Sequence, residues 1–144
     1  MQPRLTLVTL GVTDVAPSRA FYERLGFKAS SDSNESVAFF DAGGVALALF
    51  GRNALAEDAN VTAMPAGFSG VTLAHNVASE AEVDAVLAQT VESGATVTKP
   101  AAKTFWGGYA GYFSDPDGHL WEVAHNPFWP LDDAGRVILP GVSS

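Results

Sequence analysis

The chain has no cysteine in its 144 residues, so it forms no disulfide, presents no thiolate nucleophile and offers no sulfur to a metal. Basic residues are scarce as well. Eight Lys and Arg stand against 16 Asp and Glu, for a formal net charge of −8, and no Lys/Arg cluster offsets the imbalance. A field of that sign disfavours nucleic acid or an anionic membrane as a partner. No apolar run approaches the length of a membrane span. The opening Met1-Gln2-Pro3-Arg4 leads into no unbroken apolar core with a cleavage-type ending, so no signal peptide is expected, and a cytoplasmic protein is. What remains is 47% apolar and 17% charged, the composition of a globular chain long enough to bury its own core as one domain.

The densest patterning lies between Trp106 and His125. An aromatic strand over about 108–114 meets Asp115-Pro116-Asp117-Gly118, and a second strand runs from His119 to His125. Proline fixes φ in the turn, aspartates bond nearby amides, and Gly118 tolerates positive φ. Within the second strand, Glu122 stands between Trp121 and Val123, where a carboxylate needs a reason because buried charge is costly unless paired or coordinated.

Read in order, Leu5–Val12 predicts a strand buried on both faces, and Thr13 or Asp14 caps a helix that ends at Gly26. A weak strand over 28–32 follows, then strands over 35–42 and 45–50 about a Gly43-Gly44 turn. Residues 51–66 lack apolar periodicity and read as a loop, either bordering a functional site or tethering two halves. The pattern then repeats. A strand over 70–77 leads to a helix capped by Ser79 and Glu82, with Val83, Val86, Leu87 and Val91 as its stripe and Gly94 as its end. A short strand over 95–99, a loop over 100–107 and the hairpin complete a second β-α-β-β-β series. Val8-Thr9-Leu10 and Val71-Thr72-Leu73 share register, which marks an internal duplication. Beyond His125, two prolines exclude a regular helix, and an extended tail is expected whose Phe128, Trp129 and Ile138 cover the domain's own cavity or clasp a second copy.

The segments Asp115–Val123 and Asp14–Phe27 resemble the closing hairpin and opening strand-to-helix segment of the vicinal oxygen chelate superfamily, which contains glyoxalases, bleomycin-resistance proteins and extradiol dioxygenases. That resemblance spans roughly residues 5 to 127. It implies an α+β fold of paired βαβββ modules (5–50 and 69–125, with a 51–68 linker and a 126–144 tail) forming a curved mixed sheet around a cleft. It also implies a homodimer. In the family's metalloenzymes, each half supplies one ligand from its first strand and one from its last. Carried onto this chain, those positions are Leu7, Ala48 (Leu47 if the register slips by one), Gly70 and Glu122. Only Glu122 can ligate through its side chain. A catalytic divalent site draws three imidazole or carboxylate ligands, so no cofactor is expected; a divalent metal is the disfavoured alternative and would need ligands from another chain or from substrate beside Glu122. His75, His119 and His125 do not make up the deficit, because period-2 alternation turns them away from the expected ligand positions.

Glu122 is then either a cleft carboxylate acting as general base or ligand partner, or one satisfied by backbone amides or by Arg4 or Arg19. Ser18, Ser79 and Ser114 have no adjacent His–Asp grouping, and no phosphate loop follows a strand. Gly107, Gly108 and Gly111 read as points of close backbone approach. Among the clustered aromatics, Trp106 is the first candidate for a ligand-facing wall, with Phe50 and Tyr109 as further ligand-binding candidates beside Glu122. The expected function is metal-free binding of an unidentified small molecule, planar or cationic. The alternatives are a glyoxalase-like lyase or isomerase, or a dioxygenase-type enzyme, using Glu122, and a non-catalytic structural or regulatory module.

Overall fold

A computed structural model describes residues 1–64 and 67–141, so Pro65 and Ala66 of the expected linker and the last three residues of the tail lie outside the described residues. The fold is α+β, with two mixed sheets and three helices among the described residues. The chain divides into two compact units, Met1–Ser69 and Gly70–Ser144.

In the first unit, β1 (Leu7–Val12) leads to α1 (Val15–Arg24), and β2 (Val37–Asp41) and β3 (Ala46–Gly51) complete a sheet of order β1-β3-β2. The Asp14 carboxylate caps α1 by accepting from the Ala16 amide, and Gly26 follows the helix at φ 103°. The buried face of α1 carries Val15, Ser18, Phe21 and Tyr22. Tyr22 meets Phe21 and Phe27 edge-to-face at 5.0 and 5.6 Å, and Phe27 meets Phe40, which clamps helix to sheet. β1 is an edge strand and keeps only Leu10 and Val12 buried, so the expectation of burial on both faces fails there. Residues 28–32 form no strand; Ala29 makes a single bridge to Phe40.

Residues 52–58 form a helix, α2 (Arg52–Asp58), where a loop is expected. Its residues favour helix intrinsically, but none of them is buried, so no apolar period betrays it.

In the second unit, β4 (Thr72–Asn76), α3 (Glu80–Glu92), β5 (Thr96–Lys103), β6 (Tyr109–Ser114) and β7 (Leu120–His125) build a sheet of order β4-β7-β6-β5. Ser79 Oγ accepts from the Glu82 amide, and the Glu82 carboxylate accepts from the Ala78 amide, as the capping pattern predicts. The buried stripe of α3 is Val83, Leu87 and Thr90, spaced i, i+4 and i+7, whereas Val91 is exposed; the face lies one residue back, at Thr90, whose hydroxyl donates to the Leu87 carbonyl. β5 runs through Pro100 to Lys103, longer than expected, because an outer strand with register shifts tolerates a residue lacking an N–H. The tail is not simply extended. Asp132 accepts from the Ala134 and Arg136 amides and closes a turn bridged by Leu131 and Val137.

α3 packs on β5, β6 and β7. Gly111 makes that approach possible: a Cβ there would stand 2.7 Å from Leu87 Cδ1 and 2.9 Å from both the Ala101 nitrogen and the Lys99 oxygen. Two of those neighbours are backbone and cannot rotate away. Gly111→Ala should therefore cost about 1–3 kcal/mol, read as a lower urea midpoint at unchanged slope. An unaltered midpoint would show that β5 is free to move off β6.

Candidate functional site

The position of Glu122 follows from strand register. Gly111 faces α3, and its partner on β7 is Val123, which is fully buried. By alternation, the adjacent pair Tyr112 and Glu122 points to the opposite face of the sheet. The pairing makes them direct cross-strand neighbours, and the Tyr112 hydroxyl donates to Glu122 Oε2 at 2.9 Å. Neither Arg4 nor Arg19 is the partner of Glu122; Arg19 pairs with Glu23 one helical turn away. Tyr112 is pushed above the ordinary tyrosine value, first by loss of water around its hydroxyl and then by its bond to, and the charge of, Glu122.

On β7 and β4, Glu122 stands opposite Ala74, and Ala124 opposite Asn76. These four residues line a pocket of about 480 Å³ together with Trp106, Asn126, Phe128 and Trp129. Its floor is a sheet face with small residues around one carboxylate and one carboxamide, and three aromatic side chains lie around it. The size and chemistry suit a small organic molecule.

Trp106 is held in place by two devices. The Thr104 hydroxyl accepts from the Gly108 amide, while the Thr104 amide donates to the Gly108 carbonyl, closing the β5–β6 loop. The indole then lies over Gly108, where a Cβ would sit 1.9 Å from its ring, and the Phe128 ring lies 2.9 Å from the Cβ position of Gly107. Both glycines admit rings where side chains would otherwise be.

The sequence candidates are placed unequally. Trp106 and Glu122 share the pocket. Tyr109 lies on the α3-facing side of β6, by alternation from Tyr112, and its hydroxyl donates to Asp84 at 2.7 Å. Phe50 is half-buried at the end of β3, in the first unit. Phe128 and Trp129 line the pocket while remaining 64% and 41% exposed. Tyr112, Asn76 and Asn126 escaped the sequence reading as site residues. The hairpin alone could have supplied Tyr112, because a turn joining Ser114 to Leu120 pairs residue 112 with residue 122.

The residues do not fit a family-type metal centre. Leu7 pairs with Ala46, Ala48 with Thr9, and Gly70 precedes β4. Among the described residues, no three His, Cys, Asp or Glu side chains gather closely enough to hold a metal ion. His125 is engaged elsewhere, with Nδ1 3.3 Å from the Val77 carbonyl oxygen.

The sequence model of the Glyoxalase/Bleomycin resistance protein/Dioxygenase superfamily matches residues 4–123. A glyoxalase-related enzyme from Fulvimarina pelagi is 35% identical with a TM-score of 0.85, covering 95% of this chain and 98% of its own. A glyoxalase/bleomycin resistance protein/dioxygenase from Nocardioides is 30% identical with a TM-score of 0.71, covering 87% and 84%. A lactoylglutathione lyase from Agrobacterium tumefaciens, at 23% identity and a TM-score of 0.67 over 90% and 98%, shares the fold. No curated protein sequence matches the chain.

The tyrosine contacts make a pH prediction. Tyr112 is raised by burial and Glu122, and Tyr109 first by its hydrogen bond to Asp84. A raised phenol contributes stability below its unfolded value, and that contribution is lost as pH climbs through the folded value. In an ultraviolet titration of phenolate absorbance, Glu122→Gln should bring Tyr112 down toward the ordinary range, and Asp84→Asn should do so for Tyr109. Unchanged curves in either variant would remove the corresponding bond from the account.

Proposed function

Because the chain belongs to the glyoxalase/bleomycin resistance protein/dioxygenase superfamily, we propose that it is a metal-free member that binds a planar, cationic small molecule in the pocket floored by Glu122. The carrying observation is the union in one pocket of Glu122 with Trp106, Phe128 and Trp129, without a basic side chain in the lining. A carboxylate among aromatic faces attracts a cation both through charge and through the ring quadrupoles. The formal net charge of −8 adds a field of the same sense. The missing ligand positions separate this reading from a glyoxalase-like lyase or a dioxygenase.

The same proposal makes the protein a homodimer. β1 and β4 are edge strands without Lys, Arg, Asp, Glu or Pro, the usual guards of an open edge. Leu5, Phe68 and Val71, which precede these strands in sequence, are 66%, 73% and 60% exposed. Sedimentation should give twice the chain mass, and Val71→Lys should shift the protein toward monomer; a monomeric wild type would reject the dimer.

The central test is a thermal-shift and tryptophan-fluorescence screen of planar organic cations. Trp106→Ala and Glu122→Gln should each weaken binding about tenfold or more while preserving the fold. A lowered melting temperature in Glu122→Gln with unchanged binding would instead assign Glu122 a structural role. Dialysis against Ni²⁺, Zn²⁺, Mn²⁺ and Fe²⁺ in turn should leave no bound metal. One ion retained per chain would overturn the metal-free reading.

A further inference from the structure

The arrangement of acceptors on the pocket floor goes further than charge. Tyr112 occupies Oε2 of Glu122, and no other hydrogen bond engages this carboxylate among the described residues, which leaves Oε1 to a ligand. Asn76 lies on the same sheet face, one same-face pair along from Glu122: Ala74 opposes Glu122, and Asn76 opposes Ala124. With strands about 4.8 Å apart and a rise of about 3.3 Å per residue, such diagonal positions lie on the order of 8 Å apart, within the span of two side chains that converge on one group. The pocket therefore sets a charged acceptor and a neutral carboxamide side by side, with flat walls from Trp106, Phe128 and Trp129.

Resting on the binding role proposed above, we propose that the group recognised at Glu122 and Asn76 is an amidinium or guanidinium. Its planar fork presents N–H donors in two directions at once, one toward Glu122 Oε1 and one toward the Asn76 carbonyl oxygen. Its delocalised, weakly hydrated face also stacks on indole better than a compact ammonium does. A quaternary ammonium satisfies the aromatic walls but carries no donor, so both acceptors would lose water without replacement. A neutral amide supplies donors but no charge to balance Glu122. The tied loop beneath Trp106 means that the wall stands before the ligand arrives, which lowers the ordering cost of binding.

The experiment uses the intact chain with three probes that share a phenyl ring: benzamidine, neutral benzamide of the same planar shape, and phenyltrimethylammonium as a cation without N–H donors. Binding is read by titration calorimetry and by quenching of tryptophan fluorescence, with Trp106→Ala as the marker of this pocket. Benzamidine should bind about tenfold or more tightly than either analogue, the difference made by charge-assisted hydrogen bonds. Asn76→Ala should weaken benzamidine several-fold and leave phenyltrimethylammonium unchanged, a split that general damage to the pocket would not produce. Equal or tighter binding of phenyltrimethylammonium or benzamide overturns the assignment, and so does an Asn76→Ala variant that keeps the benzamidine preference. Benzamidine failing to bind while another compound binds through Trp106 overturns this inference alone. Failure of every screened compound overturns the binding role beneath it, and the inference with it.

Discussion

The buried carboxylate of Asp115 accepts from the backbone amides of Asp117 and His119, and the geometry of the second unit depends on that knot. It fixes where β6 ends and β7 begins, and so which residues face each other across the hairpin. Because side chains alternate with period 2, a slip of one residue would carry Glu122 to the face covered by α3. There it would meet the apolar stripe of Val83 and Leu87 and lose its tyrosine partner. Val123 would be driven out in exchange. The cost of burying an unpaired carboxylate, together with losing a fully buried valine, holds the register firmly. The hairpin turn and the chemistry of the pocket floor are thus one constraint.

The duplication shows what the site adds to a shared plan. Counting four residues from the turn glycine leads to Glu122 in the second unit and to Ala48 in the first. Both oppose a residue of the first strand of their unit, Ala74 and Thr9 respectively, so the backbones repeat while the side chains diverge. Ala48 is buried and brings no polar group, and Glu122 is only half-buried and brings a charge. A fold able to place a ligand-bearing side chain at each such position here keeps one of them ionisable. One carboxylate with a tyrosine donor is a poor metal centre and a good anchor for a cation.

Much of this was legible in the residues. Helix caps at Asp14 and Ser79 and the turn at Gly118 are local signals with local causes, and the structure contains the corresponding elements. The shared Val-Thr-Leu is out of step with them: strand pairing makes Thr9 equivalent to Ala74, two residues beyond Thr72. α2 was illegible because none of its residues is fully buried, and hydrophobic periodicity reports burial rather than helicity. The register of the hairpin was readable, and with it the face of Tyr109: residue 109 differs from residue 112 by an odd number, so it cannot share the face of Glu122. Its aromatic character, not its parity, drew it into the candidate set. Asn76 and Asn126 were hidden for another reason. An asparagine gives no periodic or compositional signal, and only the parallel pairing of β4 with β7, a long-range contact, brings Asn76 beside Glu122.

The aromatic walls depend on atoms that are missing. At Gly108 the space for a side chain is filled by the Trp106 indole, and at Gly107 by the edge of Phe128. Trp106 comes from the loop before the hairpin and Phe128 from the chain after it, so two glycines let segments more than twenty residues apart in sequence present rings at one pocket. Thr104 ties the loop from within, so the loop that carries the indole is held by hydrogen bonds as well as by packing. Phe128 and Trp129 nonetheless leave 64% and 41% of their surface exposed, far more than core aromatics such as Phe21 at 0%. Apolar surface so exposed, beside a half-buried carboxylate, gains by contact with a ligand that carries both a flat apolar body and a positive charge. In the proposed binding role, burial of the rings and neutralisation of Glu122 would occur in the same event, and a ligand lacking one of the two features would achieve only one of them.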